Sequence, residues 1–407
     1  MQNPTETAFL ADDVELRTTL LIAEYYAQSL RPPNGDPIIA NFSSAMVQVM
    51  QNPDARAFEG GLIQERPEKI TPSYRANLAL RAFIAWYIQM DPVNPEIPET
   101  VEDWLPDIEA TVFHAGPRQD QYKEIMTTFN TESNVTAREI IKVLVPYAYR
   151  GRFDGPVDIL DVGCSLNLGN KRLKKLDRFP FDYIEYGTTL TPDKKKVPRL
   201  NVYPDLTSIL NYAAKQPTIN NIVGVDKSRP NDRRWWPIAG SLYPSERKDA
   251  LLAQRFNQLM NLGRVAGVNF VHGDFLDMNN GKLPGKHGQK KFDIVSLITM
   301  EYQHSAEEEQ QIILENALRF LKPNGLIVVQ DFANINPQNP LKLDFPDSWF
   351  NEPFLYKAMI FDPLEPEKGF QLFIQWINGR CSKGLADASS LIMQKLHILH
   401  PDLRTAV

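Results

Sequence analysis

Three aspartates and one mixed polar segment stand where chemistry is expected. Asp161, Asp226 and Asp274 each follow a short apolar, β-branched run, and Thr299–His304 follows a fourth such run. In an open α/β sheet the carboxyl ends of the strands face the ligand crevice. A carboxylate at the end of a second strand is a bidentate acceptor suited to the two hydroxyls of a ribose, and Asp274 one strand further on suits an exocyclic amine such as adenine's. Together they suit an adenosine-containing ligand. Each acid by itself has a plainer role as a turn or capping residue; the series of three favours the ligand.

The runs that precede these residues are strands. Residues 157–162, 221–225, 267–272, 292–298 and 325–330 are short and rich in Val and Ile, and helical stretches separate them, which predicts a parallel, doubly wound sheet. Residues 357–361 and 370–377 read as an antiparallel closing hairpin and 391–399 as a terminal helix. The expected fold class is α/β, a Rossmann-like, mostly parallel seven-stranded sheet with that hairpin, preceded by an N-terminal helical region. Within the region, helical spacing of apolar residues predicts helices over 14–30, 43–50, 74–90 and 136–149, with Pro92, Pro95, Pro98 and Pro106 breaking the pattern. The expected division is a helical, substrate-shaping region at 1–150 and a catalytic core at 151–407.

The turn after the first strand discriminates between nucleotide cofactors. Gly163-Cys164-Ser165-Leu166-Asn167-Leu168-Gly169 has Ser165 where the Gly-x-Gly-x-x-Gly dinucleotide fingerprint needs its second glycine and Leu168 at the third. Asp226 also lies far beyond the ~20-residue spacing of that fingerprint's ribose-binding acid. A Gly-Lys-Ser/Thr phosphate loop is absent.

The motifs Leu160-Asp161-Val162-Gly163-Cys164, Asp226, Val271-His272-Gly273-Asp274-Phe275, Phe292-Asp293-Ile294-Val295-Ser296 and Leu321-Lys322-Pro323-Asn324-Gly325-Leu326 resemble, in order, those of class I S-adenosylmethionine-dependent methyltransferases over residues 155–332. The resemblance implies S-adenosyl-L-methionine as cofactor. Asp161 and Gly163 would border its methionine end, Ser165, Asn167 and Gly169 would complete the cofactor-binding turn, Asp226 would bind the ribose, and Asp274 with the backbone at Phe275 would hold adenine. Ser165 and Asn167 depart from the family's glycines, with Gly169 as the residue that restores the turn. Segments 44–58, 134–139, 161–170 and 226–247 are also similar to a widespread bacterial family known only as a domain of unknown function, which joins a helical region to a methyltransferase-like core.

Methyl transfer from a sulfonium depends on in-line positioning, and a general base helps when the acceptor carries a proton. Glu301, Tyr302 and His304 are the candidates for acceptor contact or base; His304 is equally placed to start the helix that Ser305 caps. The Asp/Asn-Pro-Pro-Tyr/Phe tetrad of base and glutamine methylation is absent. Cys164 reads as a small filler of the turn.

Charge bounds the partners. The chain of 407 residues carries a net −6, yet residues 171–250 hold 16 Lys/Arg against 9 Asp/Glu. Lys171, Arg172, Lys174, Lys175 and Arg178 fall on the first crossover helix, Lys194, Lys195, Lys196 and Arg199 in a long connection, and Arg233-Arg234-Trp235-Trp236 beyond Asp226. This suits an anionic small-molecule substrate; an RNA substrate is the less favoured alternative, and a catalytically degenerate binding protein is the other. Trp235 and Trp236 read as a cover for the sheet edge or a lid on adenine. No metal-ligand spacing, signal sequence or apolar run long enough for a membrane span is present, and two cysteines fit a reducing cytoplasm.

Overall fold

The computed structural model describes residues 37–65, 72–91, 95–128, 139–151, 153–165, 167–174, 218–229, 236, 239, 264–298, 307–331, 334–335, 343–344, 355–377 and 382–401. Among the sequence expectations, the helix over 14–30, residues 299–306, and all of the basic stretch except Lys171, Arg172, Lys174 and Trp236 lie outside them.

Two compact units are present, and they do not divide at residue 150. The helical unit, within Met1–Glu132 and Trp235–Ala253, contains α1 (Pro37–Val49), α2 (Pro53–Glu65), α3 (Pro72–Met90), α4 (Val101–Phe113) and α5 (Pro117–Thr128). Four of these helices open on proline. The first helical position has no use for its N–H, and the fixed φ of proline is already helical there, so Pro37, Pro53, Pro72 and Pro117 start helices; Pro95 and Pro98 lie between α3 and α4, where a break is expected. Pro106 lies inside α4, where a Thr100–Asp103 capping box and the buried face of Trp104, Ile108, Thr111 and Val112 hold the helix despite the missing hydrogen bond. Phe42, Phe83 and Trp104 pack edge-to-face or tilted in the core. Trp236 is fully buried in this same core. Its indole is enclosed within this unit rather than presented at a surface. Close by in sequence, Ala239 accepts a hydrogen bond from Arg81 through its carbonyl, at 2.9 Å.

The sheet unit begins at Ser133 and so takes α6 (Glu139–Arg150) away from the helical region. The reason is packing: Ile141, Val143, Leu144, Val145, Tyr147 and Ala148 belong to the core of the sheet. The strands are β1 (Val157–Val162), β2 (Ile219–Asp226), β3 (Val268–His272), β4 (Phe292–Ile298), β5 (Leu321–Asp331), β8 (Leu355–Phe361) and β9 (Phe370–Ile377), with a separate ribbon of β6 (Asn334–Ile335) and β7 (Leu343–Asp344). The large sheet runs β3-β2-β1-β4-β5-β8-β9. Its first five strands are parallel, and β8 and β9 form the antiparallel hairpin. This is the Rossmann-like arrangement expected. The order reverses at β1, where the chain steps from one side of the sheet to the other and opens the crevice.

Helices cover both faces. α6, α7 (Leu168–Lys174) and α9 (Ser382–Leu399) bury one through Ile159, Ile294, Leu326 and Val328. α8 (Glu307–Phe320) buries the other through Leu160, Val295, Ile327 and Val329. Residues alternate between the two, as the two-residue period of a strand requires. Gly151, with φ of +84°, ends α6, and a Cβ there would collide with the imidazole of His400, which itself pairs with the Ala148 carbonyl at 3.0 Å.

The amino ends of the strands are held by charge. Asp158 accepts from Asn221 at 2.9 Å and pairs with Lys290 at 3.3 Å and Lys322 at 3.9 Å, while Asp293 pairs with Lys322 at 2.8 Å. Burial pushes the Asp158 carboxyl up, but the Asn221 hydrogen bond and the two lysines outweigh it and leave it below its ordinary value. A carboxyl depressed in the folded state stabilises it above the unfolded value of about 3.9 and loses that contribution as pH falls through the folded value. Asp158→Asn is therefore expected to destabilise the protein at pH 7 and to differ little from wild type near pH 2. Urea midpoints at the two pH values check this; an equal gap at both would refute the ionic role.

Candidate functional site

The site is built at the carboxyl ends of β1, β2 and β3. β1 ends in a turn that visits the left-handed region three times, with φ of +71° at Gly163, +49° at Ser165 and +57° at Asn167. Glycine reaches this region freely, asparagine with some ease, and serine least readily. Ser165 and Asn167 thus hold the backbone that glycines would hold, and the surroundings over-determine it. Gly163 and Cys164 donate their N–H groups to the Val225 carbonyl at 2.9 and 3.3 Å, and Asn167 donates to the Cys164 carbonyl at 2.8 Å. Gly169 does not restore the turn. It lies inside α7, after the left-handed positions have been filled.

The side chain of Asn167 does what a glycine could not. It is buried, accepts from Asn170 Nδ2 at 2.7 Å and donates to the Asn269 carbonyl at 3.1 Å, tying the turn to β3. Asn170 also donates to Asp161 Oδ2 at 2.7 Å. The same oxygen receives Lys142 Nζ of α6 at 2.7 Å, with both side chains almost wholly buried. Asp161 is thereby an anchor beneath the turn, its Oδ2 engaged by the chain itself. Gly224 in β2 makes room: a Cβ there would stand 2.5 Å from Asn167 Oδ1 and 2.6 Å from Cys164 Sγ. Cys164 fills the space against that glycine.

Asp226 ends β2 and is half-buried. Its Oδ2 accepts from the Ser165 N–H and its Oδ1 from the Ser228 N–H, both at 2.8 Å. These two bonds orient the carboxylate at the carboxyl end of β2, beside the turn. Asp274, half-buried at the end of β3, caps the short turn Phe275–Asp277 by accepting from the Leu276 N–H at 3.0 Å. The Phe275 ring is core, tilted against Phe320 at 5.7 Å, and its carbonyl takes Asn316 Nδ2 at 2.7 Å. The turn therefore joins Ser165 directly to Asp226, ties Asn167 to Asp161 through Asn170 and Gly163 to the Val225 carbonyl, and has Asp274 beyond the end of the neighbouring strand. Glu301, Tyr302 and His304 lie outside the described residues.

Of the basic stretch, Lys174 is bound to the Ile219 and Asn220 carbonyls at 2.7 and 3.2 Å, at the amino end of β2, and burial lowers the pKa of both Lys171 and Lys174. Lys174 thus has a structural role. Among the described residues there is no cluster of His, Cys, Asp and Glu able to hold a metal, and no helix is long and apolar enough to cross a membrane.

Sequence reasoning missed Lys142, Asn170 and Gly224. Two left a signal: Lys142 is a charge inside the apolar run 140–145, which calls for a buried partner, and Gly224 interrupts a β-branched strand, which marks a close approach.

No family model and no curated protein matches the sequence. Among solved structures the chain is similar to the N-methyltransferase NodS from Bradyrhizobium japonicum WM9 in complex with S-adenosyl-l-homocysteine, at 13% identity and a TM-score of 0.23, over 49% of this chain and 63% of NodS. It is also similar to the plantazolicin methyltransferase BamL in complex with a triazolic desmethylPZN analog and SAH, at 11% identity and a TM-score of 0.25, over 81% of this chain and 76% of BamL. The match to the plantazolicin methyltransferase BpumL with SAH has 13% identity and a TM-score of 0.24, over 81% and 78%. The chain thus spans less than two thirds of NodS. These likenesses are weak, and the strand order and register described above define the fold without them.

Proposed function

We propose that this chain is an S-adenosyl-L-methionine-dependent methyltransferase acting on a small molecule. The observation that carries the reading is the bond between Ser165 N–H and Asp226 Oδ2, which locks the glycine-like turn to a carboxylate at the end of the second strand, the residue type and place suited to a ribose diol. Asp274 supplies an acceptor one strand away, suited to the adenine amine. The fit is to one nucleoside: the turn lacks the second close-approach glycine that a pyrophosphate needs. The cofactor, when bound, supplies a methyl group on a sulfonium. The chain's part is to hold the ribose at Asp226, fix the turn through Asn167, Asn170 and Asp161, and set the acceptor in line. Glu301, Tyr302 and His304 are proposed to contact the acceptor or take its proton.

The alternative of a degenerate binding protein rests on Ser165 and Asn167 standing where glycines are usual; that both take the positive φ of a glycine supports the methyltransferase reading. Calorimetry with S-adenosylhomocysteine tests the proposal. Wild type should bind, and Asp226→Ala should weaken binding about 10–100-fold, the value of one or two hydrogen bonds to a charged acceptor. Absence of wild-type binding would overturn the methyltransferase reading, and equal affinity in the variant would overturn the role of Asp226.

A further inference from the structure

Two side chains on the α6 face of the sheet are buried and have no partner. Ser296 of β4 and Gln330 of β5 are both 0% exposed. Neither Ser296 Oγ nor Gln330 Nε2 or Oε1 has a hydrogen-bond partner. Their neighbours on the face, Ile294, Ile298, Leu326, Val328 and Ala358, are apolar. Native interiors rarely leave such groups unsatisfied, because the desolvation of a donor and an acceptor is then uncompensated. An apolar side chain of the same volume would avoid that cost, so the two residues are a burden on the fold.

Their place gives the burden a use. Strand register sets Asp161 beside Ser296 and Ile298 beside Gln330. Asp161, Ser296 and Gln330 therefore share one face, each within three residues of its strand's carboxyl end. From the strand spacing and rise, the Cα atoms of Ser296 and Gln330 are about 8 Å apart, so one small polar group could bond to both side chains. The local charge is already balanced, since Lys142 and Asp161 neutralise each other at 2.7 Å. A further ion would be buried without a counter-charge, so the occupant is neutral. Gln330 offers an N–H donor beside a C=O acceptor, and the group that answers both at once is another carboxamide, with the Ser296 hydroxyl free to rotate onto its remaining site.

We infer that Ser296 and Gln330 form a subsite for an uncharged carboxamide or peptide amide of the methyl acceptor. The inference rests on the methyl-transfer reading and gives the acceptor a chemical class.

Acetamide is the probe, observed through the side-chain amide signal of Gln330 in 15N-glutamine-labelled full-length protein, with Gln330→Met to assign it. The expected result is a saturable shift with acetamide and none with acetate. Gln330→Met should bind S-adenosylhomocysteine within about twofold of wild type, a change well under the tenfold that 1.4 kcal/mol represents. It should also unfold about 2–4 °C higher, as removal of an unsatisfied group predicts for a unit of this size. No acetamide shift in a protein that binds S-adenosylhomocysteine would overturn the subsite and leave methyl transfer standing. A shift with acetate equal to that with acetamide would overturn the neutral assignment. A lower unfolding temperature for Gln330→Met would show that the amide is bonded within the fold, which also overturns it. Acetamide binding without S-adenosylhomocysteine binding would overturn the methyl-transfer reading, and with it the acceptor role.

Discussion

Lys142→Met is expected to lower the unfolding free energy by about 3–5 kcal/mol, the cost of removing one partner from a buried ion pair. Lys142 and Asp161 have side chains only 6% and 3% exposed, so water is in no position to replace the lost cation. The carboxylate would retain Asn170 alone, a neutral donor at 2.7 Å. The double change Lys142→Met with Asp161→Leu should recover much of the loss, because it removes the charge together with its partner. Urea unfolding followed by circular dichroism at pH 7 measures both. A loss below ~1 kcal/mol, the range of exposed pairs, would show that the pair is hydrated and would remove Asp161 as the anchor of the turn. Because Asn170 links Asp161 to Asn167, the single variant should also bind S-adenosylhomocysteine more weakly than its loss of stability alone explains.

Gly224→Ala is expected to break the site with a single methyl group. The new Cβ would stand 2.5 Å from Asn167 Oδ1 and 2.6 Å from Cys164 Sγ, well inside contact distance. Overpacking of this kind costs about 1–3 kcal/mol, and here relief has few directions. Asn167 is held by Asn170 and the Asn269 carbonyl and sits at a φ of +57°. Cys164 is fixed by its backbone bond to Val225. The turn must move, and Ser165 moves with it away from Asp226. Affinity for S-adenosylhomocysteine should fall at least about tenfold, equivalent to 1.4 kcal/mol. Adding Asn167→Gly to Gly224→Ala should restore part of it, since glycine clears the space and adopts the same φ without strain. Full affinity in Gly224→Ala would mean that the turn does not shape the cofactor site.

Much of the architecture is legible in the residue order. Five β-branched runs alternating with helices announce a parallel sheet, and the strand-end acids Asp161, Asp226 and Asp274 lie where that pattern places them. The helical region is less legible for a specific reason. Proline in a sequence signals a break, yet Pro37, Pro53, Pro72 and Pro117 each occupy a first helical position, where local chemistry favours it. The same limit explains why a boundary at residue 150 puts α6 in the wrong unit: an apolar helix shows that it is buried without showing against what.

What the residue order alone determined is periodic and local: strands from alternating β-branched runs, turns from glycine, acids at strand ends. What only the tertiary structure decided is pairing across long separations. That Lys142 answers Asp161 depends on how α6 packs on the sheet, and that Gly224 has no side chain where Asn167 needs the space and that Ser296 and Gln330 share one face depend on which strands become neighbours. Strand register brings together residues that lie from about 30 to more than 130 positions apart in the chain. The glycine turn shows the same division. By sequence, Ser165 and Asn167 are departures from glycine; by structure, they take its backbone conformation, because bonds from β2 and β3 hold them in a region of φ that their own side chains disfavour.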